Sequence, residues 1–171
     1  NRKIIMTPHM GEFNRLFNLK LEKNDENIIE EIQKKAIKLK NTILVKSKND
    51  IISDGQRTGI NKHGNPGMTV GGTGDVLTGI LAALTTKTED MFNATCAAAY
   101  INTIVGDCVF RELGYGFLAT DIINKIPSNT KILDFGCGHG LLGCLLLFYD
   151  PSIDYYGFDH DRSKISEKID L

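Results

Sequence analysis

The sequence contains no tryptophan, few cysteines and no long apolar run. Its four cysteines form no Cys-x-x-Cys pair and have no histidine at zinc-ligand spacing, so they predict reduced thiols in a cytoplasmic protein. The longest apolar stretch, residues 141–149, is too short to cross a bilayer, and no signal peptide is visible. These absences exclude a disulfide-stapled secreted module and predict that the protein has no membrane partner.

The sequence also lacks an excess of charge of either sign. Twenty basic and 21 acidic residues give a net charge of −1, and no block of lysine or arginine occurs, so we predict no nucleic-acid partner. Apolar and charged fractions of 42% and 24% are typical of a globular protein, and 171 residues suit one or two small domains. Because the chain opens at Asn1 with a strand-like segment, we expect further residues before it.

A glycine-rich segment, residues 64–75, leads directly into an apolar run typical of a helix. A glycine loop that feeds a helix N-terminus leaves backbone N–H groups without partners, with the positive end of the helix dipole behind them. Such a place binds anions, and phosphate is the usual one. The segment is no Walker A loop, since no Lys-Ser or Lys-Thr follows its last glycine.

Asp75 is the unexpected member of this segment, because a carboxylate in the first helical turn would repel a bound phosphate. Its presence is explained if it takes a proton from a hydroxyl that receives a phosphoryl group. The alternative is structural, since aspartate is also a common residue at helix N-termini.

Periodicity predicts an α/β layered fold followed by a second, smaller unit. We expect strands at residues 3–6, 42–45 and 50–55, a hairpin partner at 56–62, and helices at 11–17, 27–40, 75–84, 88–111 and 119–126. Composition changes near residue 128, so we divide the chain into domains 1–127 and 128–171. In the second unit the sequence predicts a strand at 131–135, a glycine loop, a helix at 141–148 and a strand at 154–158. This order is that of one truncated Rossmann-like βαβ unit.

Five motifs in the first unit occur in the order found in one known family. They are TPHMGEF (7–13), VKS (45–47), GNPGM (64–68), GGTGDVL (71–77) and GFLATD (116–121). With them, residues 1–127 resemble the C-terminal half of the ADP- or ATP-dependent NAD(P)H-hydrate dehydratases, which are ribokinase-like repair enzymes. Met10 and Ser47 stand where this family usually has proline and glycine. Family members have roughly as many residues again before this region.

The resemblance implies a partial ribokinase-like sheet and an activity. These enzymes phosphorylate the ring hydroxyl of hydrated NADH or NADPH with ADP or ATP, and loss of phosphate restores the dinucleotide. It further implies that Asp75 is the base and a substrate contact, that His9 binds the substrate, and that Mg²⁺ accompanies the nucleotide. The implied nucleotide- and phosphate-binding residues are Lys46, Ser47, Lys48, Asn49, Asp50, Gly72, Thr73 and Gly74.

Two alternatives stay open for the first unit. One alternative is another ribokinase-like small-molecule kinase, and the motif at residues 7–13 argues against it. The other is a nucleotide-binding fragment without turnover. The choice between ADP and ATP is open, and a homo-oligomer is possible.

The second unit resembles motif I of S-adenosylmethionine-dependent methyltransferases. The resemblance implies cofactor contacts by Asp134, Gly136, Gly138 and, at the end of the next strand, Asp159. Residues 138–143 also match Gly-x-Gly-x-x-Gly, so a dinucleotide site is the rival interpretation.

Overall fold

A computed structural model describes residues 4–22, 27–126, 131–135 and 154–158 of the chain. The chain divides into two compact units, Asn1–Ile122 and Ile123–Leu171, and each is described here by itself. The predicted domain limit near residue 128 lies a few residues beyond this division.

The predicted elements of the first unit and the two predicted strands of the second are present, with some ends shifted by a few residues. The strands of the first unit are β1 (Ile5–Met6), β2 (Thr42–Val45), β3 (Asp50–Ser53) and β4 (Thr58–Asn61). The helices are α1 (Met10–Phe17), α2 (Ile28–Leu39), α3 (Thr73–Thr85), α4 (Met91–Leu113) and α5 (Ala119–Lys125), with short 3₁₀ turns at Pro66–Thr69 and Gly114–Gly116. The second unit contains β5 (Lys131–Phe135) and β6 (Asp154–Phe158).

The first unit is built on a small mixed sheet in the order β1-β2-β3-β4, in which β1 and β2 are parallel and the other pairs antiparallel. The predicted hairpin β3–β4 is closed by Asp54, whose carboxylate accepts hydrogen bonds from the N–H groups of Gln56 and Arg57 at 2.9 and 2.7 Å. Gly55 takes a φ of +91° against Ile37, a conformation that a side chain would strain. The predicted α/β layering is therefore confirmed.

Alternate residues of the strands face two different helical layers. Ile43 and Val45 are fully buried on the side of α1 and α2, where they pack with Phe13 and Ile32. On the other side a Cβ added to Gly59 would meet Cys96 and Phe92 of α4. Because side chains alternate along a strand, β2 and β3 contribute to both cores, and the sheet is covered on both faces.

The described cysteines agree with the prediction of reduced thiols. Cys96 and Cys108 are both free, and burial raises the pKa of the Cys96 thiol to about 11. No helix in the described part of the chain is long and apolar enough to cross a membrane.

The two strands of the second unit pair in parallel, with Lys131 opposite Asp154 and Phe135 opposite Phe158. Parallel strands need a crossover of a dozen or more residues, and residues 136–153 provide that length. Asp134 lies in β5. The predicted helix at 141–148 and the predicted cofactor residues Gly136, Gly138 and Asp159 lie outside the described residues.

Candidate functional site

The carboxyl ends of β1 and β2 bring His9 and Lys46 together. The two strands are parallel, so both end at the same edge of the sheet. Beyond the strands, His9 and Lys46 form an isolated parallel bridge, and the Lys46 N–H donates to the Pro8 carbonyl at 2.8 Å. Open α/β sheets bind ligands at this edge, which makes it the candidate site.

The side chain of Lys46 connects this edge to the glycine-rich segment. A Cβ built onto Gly74 would lie 3.4 Å from the Lys46 Nζ. Gly74 is the second residue of α3, so the ammonium group lies beside the N-terminus of that helix. Two separate sources of positive potential, a lysine and a helix dipole, therefore meet at one place.

The N-terminus of α3 has three backbone donors available for a ligand. Gly72 is the N-cap with a φ of +95°, and its carbonyl accepts from the N–H groups of Asp75 and Val76, each at 3.0 Å. No described residue accepts a hydrogen bond from the N–H of Gly72, Thr73 or Gly74. The helix starts at Thr73, two residues before the predicted start, because Gly72 takes the capping conformation.

The Thr73 side chain has a structural task. It is buried, and its hydroxyl donates to the carbonyls of Met68 and Val70 at 2.8 and 3.1 Å. These bonds close the turn before α3, so only the backbone N–H of Thr73 is left to contact a phosphate.

The position of Asp75 argues against a capping role. It is the third residue of α3, and the cap of that helix has no side-chain hydrogen bond. Asp75 is exposed, and no described residue donates a hydrogen bond to its carboxylate. The carboxylate is therefore available to act on a ligand at the helix N-terminus.

The predicted nucleotide segment, residues 46–50, forms a closed turn between β2 and β3. The Ser47 N–H donates to Asp50 Oδ1 at 3.2 Å, and Asn61 Nδ2 donates to Asp50 Oδ2 at 3.3 Å. Burial raises the pKa of Asp50, while these two donors oppose that effect. Lys48 and Asn49 are exposed at the tip, and Lys46, Ser47 and Asp50 are partly exposed beside them.

Ser47 is compatible with its backbone conformation, although the family usually has glycine there. Among the described residues other than glycine, only Asn18 and Lys40 have a positive φ. Since Ser47 has none, its Cβ adds no backbone strain. Its hydroxyl also donates to the Asn49 carbonyl within the turn.

His9 is the N-cap of α1. Its Nδ1 accepts from the Glu12 N–H at 3.2 Å, and Glu12 Oε2 accepts from the His9 N–H at 2.8 Å. The sequence argument missed Glu12, although a cap residue followed three positions later by glutamate is the signature of a capping box.

Helix α4 holds the loop that leads into the candidate site in place. The sequence did not indicate this contact between the helix and the loop. Asp107 accepts from the Gly64 N–H at 3.1 Å and from Asn65 Nδ2 at 2.7 Å. Met68 lies against Gly106 so closely that a Cβ there would stand 2.1 Å from its sulfur. These contacts fix the path of the loop before it reaches Gly72.

Asp107→Ala is expected to destabilise the protein by about 1–3 kcal/mol, because the two donors of the loop would lose their acceptor. Urea unfolding followed by circular dichroism measures the change. A loss below about 0.5 kcal/mol, the range of ordinary surface substitutions, would show that α4 does not brace the loop.

Gly72→Ala is expected to cost about 1–2 kcal/mol, since the φ of +95° disfavours any side chain and Ala119 lies 3.0 Å from the added Cβ. Gly71→Ala is the matched control, because its Cβ would meet nothing within 4 Å. In thermal unfolding, Gly72→Ala should have a clearly lower melting temperature than Gly71→Ala. Equal stability of both would mean that Gly72 is not held in this conformation.

A cleft of about 510 Å³ lies at the other end of the sheet, near Asn41 and Thr42. It is lined by Arg57, which donates to Asp90 at 2.8 and 2.9 Å and to Asp54 at 2.8 Å. Because these charged groups are paired with one another and lie at the amino end of β2, we do not place the functional site there.

The described part of the chain contains no group of three or more histidine, cysteine, aspartate or glutamate side chains that could hold a metal ion.

Comparison with known proteins gives consistent matches for the first unit. A sequence model of the NAD(P)H-hydrate dehydratase family matches residues 1–128. The chain is 47% identical over 127 residues to the bifunctional NAD(P)H-hydrate repair enzyme Nnr of Archaeoglobus fulgidus, covering 74% of this chain and 25% of that enzyme. It is 37% identical over 134 residues to the ADP-dependent (S)-NAD(P)H-hydrate dehydratase of Nitrosopumilus maritimus, covering 78% of this chain and 47% of that enzyme.

The fold is also similar to that of solved structures. The ADP/ATP-dependent NAD(P)H-hydrate dehydratase of Bacillus subtilis, co-crystallized with ATP/Mg²⁺, superposes with a TM-score of 0.64 at 25% identity, covering 72% of this chain and 47% of that chain. This chain thus spans between about a quarter and about half of the length of these relatives.

Proposed function

Because this chain belongs to the NAD(P)H-hydrate dehydratase family, we propose that it takes part in the nucleotide-dependent dehydration of hydrated NADH and NADPH. The ring hydroxyl of the hydrate receives a phosphoryl group from ADP or ATP, and loss of phosphate restores the dinucleotide. His9 and Asp75 would contact the hydrate. The nucleotide and its phosphates would be held by Lys46, Ser47, Lys48, Asn49, Asp50, Gly72, Thr73 and Gly74.

The observation that carries this proposal is the contact between Lys46 and the N-terminus of α3. The lysine Nζ, 3.4 Å from a Cβ built onto Gly74, lies beside backbone N–H groups that have no partner among the described residues. This combination suits a phosphoryl group, on which negative charge is spread over several oxygens during transfer. Asp75 places an exposed carboxylate next to this site, which suits removal of the proton from the hydroxyl that receives the phosphoryl group.

The phosphoryl-transfer step can be assigned to groups of the chain; the later elimination breaks the C–O bond to phosphate and releases a proton from the neighbouring ring carbon. The Asp75 carboxylate takes the proton of the ring hydroxyl as its oxygen bonds to the terminal phosphorus. The bond between that phosphorus and the nucleotide breaks, leaving AMP from ADP or ADP from ATP. The N–H groups of Gly72 to Gly74 stabilise the transferring phosphoryl, and Lys46 adds a point charge. Mg²⁺ bound with the nucleotide would supply further charge neutralisation.

The direct test is recovery of NADH absorbance when NADH hydrate is incubated with the purified chain and ADP or ATP. The proposal predicts recovery that depends on the nucleotide. Equal rates with and without nucleotide would contradict it.

A second candidate is nucleotide binding without turnover, which the same placement of Lys46 beside the N-terminus of α3 would support. Calorimetric titration with ADP separates the two candidates. Binding of ADP without any loss of NADH hydrate would favour the second one.

For the second unit, an S-adenosylmethionine site remains a proposal with narrower support. The parallel pairing of β5 with β6 suits the start of a Rossmann-like unit, and the family match of the first unit ends at residue 128. Asp134, Gly136, Gly138 and Asp159 would make the contacts. We expect weak or no binding of S-adenosylmethionine by calorimetry, since so short a unit buries little surface. Micromolar affinity would show that this unit is a complete cofactor site.

A further inference from the structure

Glu12 and His9 form a reciprocal pair that fixes more than the start of α1. His9 Nδ1 accepts from the Glu12 N–H, so this nitrogen carries no proton while the contact is made. In a neutral imidazole the proton then lies on Nε2. Glu12 Oε1 lies 3.4 Å from that Nε2, while Glu12 Oε2 accepts from the His9 N–H at 2.8 Å.

We propose that Glu12 is a positioning residue, which holds His9 as the Nε2–H tautomer and so presents a hydrogen-bond donor to an acceptor oxygen of the dinucleotide. The substrate part of this inference rests on the proposed function. The tautomer part rests on the contacts between the two residues alone.

A carboxylate suits both N–H groups of His9, because it accepts a hydrogen bond from the backbone N–H and, at 3.4 Å, attracts the ring Nε2–H without a hydrogen bond that would compete with a ligand. Its two oxygens face the His9 backbone N–H and the ring Nε2. A glutamine amide has one acceptor oxygen and one NH₂ donor group. The NH₂ group would therefore face either the backbone N–H or the ring Nε2–H of His9, and neither can accept a hydrogen bond. The hydrogen bond from the His9 N–H also holds the pKa of Glu12 below its usual value.

Both side chains are positioned to act on a ligand. About half of each is exposed, at 53% for His9 and 48% for Glu12. His9 is bridged to Lys46, whose ammonium lies at the N-terminus of α3. The charge of Lys46 also helps to lower the pKa of Glu12. The pair therefore lies at the sheet edge where the nucleotide and the hydrate would meet.

The test is the state of the His9 ring in the ¹⁵N-labelled 171-residue chain, read from long-range ¹H–¹⁵N NMR spectra. His9→Ala identifies the signals. In the original protein we expect an unprotonated Nδ1 and a protonated Nε2. In Glu12→Gln we expect a smaller difference between the ¹⁵N chemical shifts of these two ring nitrogens. Glu30→Gln, at the same position of α2, is the matched control and should change nothing. A protonated Nδ1 in the original protein, or an unchanged spectrum in Glu12→Gln, would overturn the proposal.

The affinity for NADPH hydrate in the presence of AMP, which has no phosphoryl group to transfer, separates this inference from the proposed function. We expect His9→Ala and Glu12→Gln each to weaken binding by about three- to tenfold, the value of one oriented hydrogen bond. If only His9→Ala weakens binding, the role of Glu12 is wrong and that of His9 stands. If the original chain binds no hydrate, the proposed function is wrong. The NMR spectra of the His9 ring then test by themselves whether Glu12 holds His9 as the Nε2–H tautomer.

Discussion

Asp75→Asn is expected to lower the rate of NADH-hydrate dehydration by about 10²–10⁴-fold, the usual cost of losing a general base. Asparagine keeps the shape of the side chain and can accept a hydrogen bond, but it cannot take the proton of the ring hydroxyl. The loss should therefore fall on the chemical step, with ADP affinity nearly unchanged. Recovery of NADH absorbance measures the rate, and calorimetry measures the affinity.

The control for Asp75→Asn is Glu30→Gln, which removes a negative charge from the same position in the first turn of another helix. It should leave the rate unchanged. If Asp75→Asn retains the full rate, the carboxylate is not a base.

Phe13→Ala is expected to destabilise the protein by about 3–5 kcal/mol, the range for a buried phenylalanine. The ring is fully buried in the core shared by α1, α2 and the sheet, and it packs on Phe17 at 4.9 Å between ring centroids. Since His9 caps the N-terminus of α1, the loss should also loosen the candidate site.

Leu16→Ala, in the same helix, is the matched control, because Leu16 is 56% exposed and its removal should change stability by less than about 0.5 kcal/mol. Chemical denaturation measures both variants. Equal stabilities would show that Phe13 is not part of the core.

Local pattern predicted the elements of the first unit well. The strand at 42–45 followed from a run of β-branched and apolar residues and the hairpin after it from an Asp-Gly turn, and both are confirmed. The start of α3 was wrong by two residues, because glycine has low helix propensity and the φ of Gly72 decides the cap. Such a backbone choice depends on neighbours that the sequence does not reveal, here Ala119.

Most of the contacts that build the candidate site join residues far apart in the chain. Lys46 reaches Gly74, and Asp107 holds Asn65 across 42 positions. No period or motif encodes such pairs, so the sequence proposed the residues without the geometry that joins them. The capping box of His9 and Glu12 joins residues that are close in the sequence, so local rules could have predicted it. It was missed because histidine is not among the usual N-cap residues.

The central claim is that nucleotide phosphate binds where Lys46 meets the N-terminus of α3. The most direct measurement is titration of the ¹⁵N-labelled chain with ADP, observed through its backbone amide resonances. The account predicts that Gly72, Thr73 and Gly74 shift together with the turn at residues 46–50, at one common dissociation constant. Shifts confined to the cleft around Arg57 and Asp90, or no shifts at saturating ADP, would contradict it.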